Sequence, residues 1–409
     1  MAVAVTVGAA MVGGHQVAAI DDDVPKRQPT LIWEVPVECD TDAELAASTD
    51  GRHCAMEFSR DAVYVHEHSA TVGSGGPFRL SAIDVSSGVQ RWSHEVGETF
   101  ELRLTDEAVV LSDKAHIEVY DADDGSLRFR RDGELVHLNT YGVLIMDEAD
   151  GSITAVDATG GDELWSRPGQ VGAMCRDFVA LVPAASEPAA PFTLVEHRSG
   201  DERWTSDRRF DSATDHMACS GAPWIYVSDG EQIYELDSID GWTTWETPIA
   251  DAGVIDLYRE VALVRSGAEA DTVVAVKRED GTVLWDTPAG QIGASLSWIG
   301  RLRQDSAGIF TLNPLTGETV TRVDFDDDDF DGGDTGADGA AFDVVGVSDT
   351  RVVVAVGSVV TTFGMNDLGT AWQLDVGGDP DDFGVARGVL VVRSGSNLRG
   401  YAVAPRAAE

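Results

Sequence analysis

The feature that most constrains the fold is a short turn motif that recurs along the chain. In each copy a glycine is followed four residues later by an aromatic residue, and successive copies lie 36 to 41 residues apart. The six copies are SSGVQRW (Gly88, Trp92), DDGSLRF (Gly125, Phe129), GGDELW (Gly161, Trp165), SGDERW (Gly200, Trp204), DGWTTW (Gly241, Trp245) and DGTVLW (Gly281, Trp285). A fixed period in this range is typical of propeller blades, solenoids and other arrays, so we predict a repeat protein.

Each motif is predicted to form the turn of a β-hairpin. The Asp-Gly pair that ends at Gly281 is a strong signal for a two-residue type I′ turn, because glycine accepts the positive φ that this turn needs. Two further copies depart from the motif. LTGETVT has Thr321 four residues after Gly317, and LGTAW has Trp372 only three residues after Gly369.

The sequence between successive turns contains short runs of β type and no useful helical period. The unit from Leu135 to Pro168 has four such runs, LVHLNT, GVLIMDE, SITAVDA and ELWSRP. Four strands in roughly 40 residues are typical of a propeller blade, whose edges are protected by the neighbouring blades. We therefore predict an all-β chain, with one β-propeller domain over residues 30–405.

The two ends of this domain are predicted to complete one blade. Residues 30–38 (TLIWEVPVE) resemble the last strand of a blade, and residues 384–405 resemble the earlier strands of a blade that lacks its last one. Pairing of these segments would close the ring with strands from both termini. The eight internal hairpins and this composite blade give nine units.

The turns and the strands before them carry a family resemblance. AIDVSSG, VYDADDG, AVDATGG and AVKREDG resemble the repeats of pyrroloquinoline-quinone-type β-propellers, a family that includes the scaffold subunit of the outer-membrane β-barrel assembly machinery. The resemblance implies eight four-stranded blades, so eight are favoured and nine are the alternative. It also implies that the aromatic residue of each turn packs on the neighbouring blade, where it buries a large apolar surface.

The resemblance does not extend to the quinone site of the dehydrogenases with such repeats. Those enzymes are longer and hold the quinone near a vicinal Cys-Cys pair, with a calcium ion and an Asp base. No two cysteines of this chain are adjacent, and the motifs of serine hydrolases, zinc proteases and P-loops are absent. We expect no quinone cofactor and favour a non-enzymatic binding or scaffold protein. The alternative is an oxidoreductase-like propeller that holds a quinone or a metal.

The charge of the chain limits its partners. Acidic residues number 71 against 29 basic ones, which gives a net charge of −42. Such a charge repels nucleic-acid backbones and anionic lipid heads. We therefore expect a monomer that binds a protein or a cell-surface polymer through its loop faces, and no nucleic acid.

The N-terminal residues 1–29 are predicted to be a signal or anchor remnant with a linker. Nineteen small and apolar residues precede DDD and PKRQP, as in a secretory signal or the end of a membrane anchor, although no basic residue precedes the apolar run. A buried N-terminal arm is the alternative. We expect an extracytoplasmic protein that is secreted or anchored to the membrane. The extracellular sensor domain of a membrane-anchored receptor is a further alternative.

The four cysteines contain no C-x-x-C pair, so metal and redox motifs are not indicated. Their positions in the repeats predict two disulfide bonds, Cys39 with Cys54 and Cys175 with Cys219, formed in an oxidising compartment. Four buried thiols are the alternative.

An acidic insert at residues 324–340 contains one candidate metal site. Asp327, Asp329, Asp331 and Gly332, followed by Asp338, match the D-x-D-x-D-G loop with an acidic twelfth position that wraps oxygen ligands around Ca²⁺. The twelfth residue is Asp instead of the usual Glu, and flanking helices are not predicted. A solvated acidic loop is the alternative.

Overall fold

The structure is a computed structural model in which every regular element of the described residues is a β-strand. None of these residues forms a helix long and apolar enough to cross a membrane. The described residues are 29–37, 39, 52–69, 78–96, 101–113, 116–139, 142–147, 151–175, 177–183, 190–210, 216–219, 224–258, 260–266, 272–289, 294–295, 302–304, 308–325, 343–347, 351–356, 358–364, 368, 370–377 and 382–402.

The described strands pair into nine antiparallel sheets of four strands each, which we number in chain order. Sheets 1 to 3 comprise β2 (Arg52–Phe58), β3 (Ala62–Ser69), β4 (Phe78–Asp84) and β5 (Gln90–Val96); β6 (Glu101–Leu104), β7 (Ala108–Ser112), β8 (His116–Asp121) and β9 (Leu127–Asp132); and β10 (Glu134–Asn139), β11 (Gly142–Asp147), β12 (Ser152–Val156) and β13 (Glu163–Pro168). Sheets 4 to 6 comprise β14 (Gln170–Met174), β15 (Phe178–Val182), β16 (Ala190–Glu196) and β17 (Glu202–Phe210); β18 (His216–Cys219), β19 (Trp224–Ser228), β20 (Ile233–Asp237) and β21 (Thr243–Thr247); and β22 (Gly253–Leu257), β23 (Val261–Ser266), β24 (Thr272–Lys277) and β25 (Val283–Pro288). Sheets 7 and 8 comprise β26 (Ala294–Ser295), β27 (Leu302–Gln304), β28 (Gly308–Leu312) and β29 (Thr319–Asp324); and β30 (Asp343–Val347), β31 (Arg351–Val356), β32 (Val359–Gly364) and β33 (Thr370–Asp375).

Sheet 9 closes the ring with strands from both ends of the chain. It comprises β34 (Asp382–Ala386), β35 (Val389–Ser394), β36 (Asn397–Ala402) and, as its outer strand, β1 (Thr30–Pro36). β1 pairs with β36 in antiparallel register, which confirms the predicted composite blade. The described residues form nine four-stranded sheets, which agrees with the alternative of nine blades and not with the favoured number of eight. The weak unit around Gly317 accounts for the difference, because it forms a complete sheet even though β26 has only two residues.

The core lies between neighbouring sheets. Each apolar cluster of the described residues draws its side chains from two consecutive sheets. Tyr64 and Trp92 of sheet 1, for example, pack with Val109 of sheet 2. Trp33 and Leu398 of sheet 9 pack in turn with residues of sheet 1, so the ring is closed by side-chain packing as well as by strand pairing.

The aromatic residue of each motif packs on the glycine of the next sheet, as the sequence analysis expects. A Cβ added to Gly125 would lie 2.6 Å from Cδ2 of Trp92, so only glycine fits beneath the ring. Trp92 Nε1 also donates a hydrogen bond of 3.1 Å to the carbonyl of Ala122, on the same turn. The contacting pairs are Trp33 with Gly88, Trp92 with Gly125, Phe129 with Gly161, Trp165 with Gly200, Trp204 with Gly241, Trp245 with Gly281, and Trp285 with Gly317.

The turns themselves are longer than the predicted type I′ turns. β24 ends at Lys277 and β25 begins at Val283, so five residues form this connection. The Gly281 N–H donates to the Lys277 carbonyl at 2.9 Å, and the Lys277 N–H donates to the Thr282 carbonyl at 2.8 Å. Gly281 has a φ of 74°, as predicted, but it closes a wide turn instead of a two-residue one. The type I′ prediction is therefore wrong.

Sheet 8 contains a related departure from the motif. Leu368 adopts the positive φ of this turn (49°), and its N–H donates to the Gly364 carbonyl at 2.9 Å. Trp372 therefore follows the left-handed residue by four positions, as the aromatic residue does in the other turns.

Candidate protein-binding site

Equivalent turns of all sheets lie on the same face of the ring, because each sheet repeats the strand order of the one before it. The turns between third and fourth strands, such as residues 238–242 and 278–282, lie on one side, which we call the hairpin face. The turns between second and third strands and the connections between sheets lie on the other side, which we call the connection face.

One turn on the hairpin face presents two exposed apolar side chains. Ile239 and Trp242, between β20 and β21, expose 60% and 75% of their surfaces. The turn is held by hydrogen bonds to Asp237, whose carbonyl accepts from Gly241 N (2.8 Å) and whose Oδ1 accepts from Ile239 N (2.6 Å). Trp204 packs against Gly241 from the preceding sheet. The backbone of the turn is therefore fixed while its two apolar side chains face solvent.

This turn differs from the equivalent turns of the other sheets. The two positions, which lie two residues before and one residue after the glycine, are occupied elsewhere by Ser86 and Val89, Asp123 and Ser126, Thr159 and Asp162, Arg198 and Asp201, Glu279 and Thr282, and Leu315 and Glu318. Only residues 239 and 242 are both large and apolar. Among the tryptophans that the structure describes, Trp242 is also the one that is exposed.

Carboxylates lie in the turn of the exposed pair and on the next hairpin, and Arg208 donates a 3.3 Å hydrogen bond to Thr243 Oγ1 beside Trp242. Asp240 Oδ1 accepts a hydrogen bond from Trp242 N at 3.1 Å, so a carboxylate lies within the turn itself. On the next hairpin, Lys277 Nζ lies 2.6 Å from Glu279 and 3.3 Å from Asp280, so the two carboxylates outnumber the cation that they share. An apolar group of a partner that carries positive charge beside it would complement this surface.

A buried polar network braces sheets 5 and 6 behind the hairpin. Glu235 exposes only 1% of its surface and accepts hydrogen bonds from Tyr226 Oη (2.5 Å) and Thr244 Oγ1 (2.8 Å). Arg278 Nε lies 3.7 Å from the same carboxylate, and its guanidinium stacks over Trp224. Burial and the hydrogen bond to Glu235 raise the pKa of Tyr226.

The two disulfide bonds join the same cysteines that the sequence analysis pairs. Cys39, which follows β1, is bonded to Cys54 of β2 and so links sheet 9 to sheet 1. Cys175, which directly follows β14, is bonded to Cys219 of β18 and links sheet 4 to sheet 5. Both bonds therefore cross from one sheet to the next.

The predicted calcium ligands and the N-terminal signal lie outside the described residues. The four residues Asp327, Asp329, Asp331 and Asp338 lie in the part of the acidic insert that is not described. Residues 1–28 at the N-terminus are not described either. Within the described residues no group of three or more His, Cys, Asp or Glu side chains could hold a metal ion. The four cysteines are paired between sheets.

Sequence reasoning missed Ile239 and Trp242, although their signal is readable. DGWTTW contains two tryptophans, and the analysis assigned only Trp245 to the packing position. Alignment of the turns by their glycine would have isolated Trp242 as an apolar residue at a position that faces solvent.

Comparison with protein families places most of the repeat region in a known family. The model described as outer membrane protein assembly factor BamB matches residues 78–185 and 192–317, which together make up more than half of the chain. A comparison with curated proteins finds no match.

Several solved structures are similar at low identity. BamB from Moraxella catarrhalis is 13% identical, with 91% of this chain and 99% of that chain covered and a TM-score of 0.41. The computationally designed Ika8 protein is also 13% identical, with 73% and 95% covered and a TM-score of 0.43. Hsv2p of Kluyveromyces lactis is 10% identical, with 63% and 98% covered and a TM-score of 0.38.

Proposed function

Because this chain belongs to the family of the outer membrane protein assembly factor BamB, we propose that it is an extracytoplasmic β-propeller that binds a partner protein and acts as a scaffold. The two disulfide bonds support an oxidising location, since such bonds are rare in reducing compartments. We further propose that the chain is secreted or anchored to the membrane through its N-terminal segment, and that it works as a monomer without a cofactor.

The observation that carries this proposal is the exposed pair Ile239 and Trp242. Tryptophan is enriched among the residues that dominate protein–protein binding energy. The pair stands on a turn whose backbone is fixed by Asp237, so little ordering is needed when a partner binds. The carboxylates of this turn and of the next hairpin favour a partner surface that combines an apolar pocket with Lys or Arg at its rim.

Site-specific photocrosslinking tests this function. A benzoylphenylalanine placed at position 242 should give one reproducible protein adduct in cells that express the chain. The matched control is Val89, which is 62% exposed on the equivalent turn of sheet 1 but has Ser86 as its companion. Equal adducts at both positions, or none at 242, would contradict a binding site at this hairpin.

Loss-of-contact variants give the second measurement. Ile239→Ser combined with Trp242→Ala should keep the melting temperature, because both side chains are exposed and surface changes are usually within about 0.5 kcal/mol. The double variant should no longer form the adduct through a crosslinker placed at Thr243, whereas Val89→Ser should leave that adduct intact. An adduct that persists in the double variant would show that the exposed pair does not bind the partner.

The enzymatic alternative is tested separately by titration with pyrroloquinoline quinone. We expect no saturable change in quinone absorbance, because no vicinal cysteine pair is present in the sequence. Stoichiometric binding with a spectral change would overturn the non-enzymatic proposal.

A further inference from the structure

A cavity of about 390 Å³ opens on the connection face, at the inner edge of sheets 4, 5 and 6. Its wall includes the start of β14 (Val171 and Gly172), Met217 of β18 and the start of β22 (Gly253 and Val254). The first strands of neighbouring sheets approach one another, which places them next to the central axis. The cavity therefore lies at the opposite ends of the strands from the Ile239–Trp242 turn.

Among the residues that the structure describes, none that lines this cavity carries a charged side chain. Its polar side chains are Gln170, Ser228 and Tyr226, and the hydroxyl of Tyr226 is already bonded to Glu235. The other lining residues are glycine, alanine and larger apolar residues. In a protein with a net charge of −42, such a neutral lining favours an uncharged apolar occupant and disfavours a carboxylate.

The walls also offer backbone hydrogen-bonding groups. β14, β18 and β22 are each the end strand of their sheet and pair with one neighbour only. The register of β14 shifts between Val171 and Ala173, and that of β22 shifts between Val254 and Asp256, so both strands carry a bulge beside the cavity. A bulge leaves a residue out of the ladder, and an open strand edge can pair with an incoming extended chain.

Gly253 shows that the wall has free space. A Cβ built there would meet no atom within 4 Å, and its φ is not in the left-handed region. A larger side chain at this position is therefore sterically allowed and would take up cavity space. Gly172 is different, because its Cβ would lie 2.4 Å from Cγ1 of Val182.

From the neutral lining, the open strand edges and the volume, we propose that this cavity binds an extended segment of a partner polypeptide. An uncharged apolar side chain of the segment enters the cavity, and its flanking backbone amides bond to the edges of β14 and β22. This second site is independent of the hairpin-face proposal, because it lies on the other face and is tested with a small probe.

The probe is N-acetyl-phenylalanine amide, which carries one apolar side chain between two amides. With methyl-labelled methionine, the Met217 resonance, assigned through Met217→Leu, should shift saturably with a Kd on the order of 1 mM. The Met56 methyl, buried between sheets 9 and 1, should not move. N-acetyl-phenylalanine with a free carboxylate should bind about tenfold more weakly, since the lining offers it no cation.

A cavity-filling variant completes the test. Gly253→Leu should weaken binding of the amide probe about tenfold or more by occupying the site, whereas Gln90→Leu adds an exposed leucine on sheet 1 and should change nothing. No shift of Met217, or equal binding by both variants, would overturn the proposal. If ethylbenzene, which lacks amides, binds as tightly as the amide probe, the cavity is an apolar small-molecule site and the proposed polypeptide segment is wrong.

Discussion

Two interfaces between neighbouring sheets differ in the residues at their aromatic and glycine positions. One lies between sheets 1 and 2, and the other lies between sheets 7 and 8. In the first, Trp92 lies on Gly125, where a Cβ would approach Cδ2 of the ring to 2.6 Å. In the second, Thr321 takes the place of the aromatic residue and Leu368 takes the place of the glycine. A large aromatic residue packs on glycine in the first interface. In the second, the aromatic position holds a smaller residue and the glycine position holds a larger one.

The difference shows why glycine occupies these turns. Both Gly125 and Leu368 have a positive φ, 71° and 49°, so the left-handed backbone alone does not demand glycine. Leu368 is only 4% exposed and packs with Leu302, Val323 and Phe363. The space that a tryptophan ring fills elsewhere is filled here by a side chain from the turn itself. Glycine is therefore required by the ring above it more than by its dihedral angles.

The largest effect is expected at the interface that the two ends of the chain form in sheet 9. Deletion of residues 30–38 removes β1, leaves β36 with an open edge and takes Trp33 away from Gly88. An open edge of this kind promotes aggregation. We expect little soluble monomer in size-exclusion chromatography with light scattering, and a stable monomer after this deletion would contradict the closure of the ring by β1.

Substitution by alanine at the aromatic position should destabilise the two interfaces to different extents. Trp92→Ala removes a ring that is 7% exposed together with its hydrogen bond to Ala122, and we expect a loss of about 3–5 kcal/mol. Thr321→Ala removes a few partly buried atoms and should cost less than about 1 kcal/mol. Urea unfolding of the two variants measures the contrast, and equal losses would show that Trp92 contributes no more than Thr321.

Opposite changes in size should each destabilise the protein at these two turn positions: a larger residue at Gly125 and a smaller residue at Leu368. Gly125→Ala adds one carbon against Trp92 at a left-handed residue and should cost about 2–4 kcal/mol. Leu368→Ala removes buried atoms and should also destabilise the protein, by about 2–5 kcal/mol. Leu368→Met keeps the side-chain volume at a residue with positive φ. It should cost under about 1.5 kcal/mol, because the loss of buried volume is what destabilises Leu368→Ala.

Placing the residues of the interface between sheets 7 and 8 into the interface between sheets 1 and 2 tests whether the two positions compensate for each other. The double variant Trp92→Thr with Gly125→Leu should be less destabilised than the sum of its single variants, with a coupling energy of about 0.5–3 kcal/mol. Strict additivity would mean that the two positions do not compensate for each other. The readout is again the free energy of unfolding in urea.

Much of this architecture was predictable from the spacing of glycine and aromatic residues, because one turn geometry repeats in seven described sheets. The composite sheet 9 was predictable for a related reason, since each terminus lacks the strands that the other supplies. The positive φ of Leu368 was not predictable, because its side chain is accommodated by packing with residues of sheets 7 and 8 that are distant in sequence, such as Leu302 and Phe363. The cavity was not predictable either, since residues of three sheets that are distant in sequence line it.

The smallest contrast concerns acid stability. Asp121 stands four residues before Gly125 and accepts a 2.8 Å hydrogen bond from Arg128, whereas Gly364 occupies the equivalent place before Leu368. The bond from Arg128, aided by the backbone N–H of Asp123 and opposed by partial burial, lowers the pKa of Asp121. A lowered folded-state pKa means that the carboxylate stabilises the fold above about pH 4 and that this contribution is lost as the pH falls through the folded-state value.

Asp121→Asn keeps the oxygen that accepts from Asp123 but removes the charge that faces Arg128. At pH 7 this variant should be less stable than the parent by up to about 1 kcal/mol, in keeping with a partly exposed ion pair. The gap should narrow as the pH falls below about 4, because the protonated Asp121 of the parent then resembles Asn. Thermal unfolding at several pH values measures this gap. Because Gly364 stands where Asp121 stands before its turn, Gly364→Ala should show an effect that does not vary over the same pH range. A constant gap for Asp121→Asn would exclude Asp121 as a source of acid sensitivity.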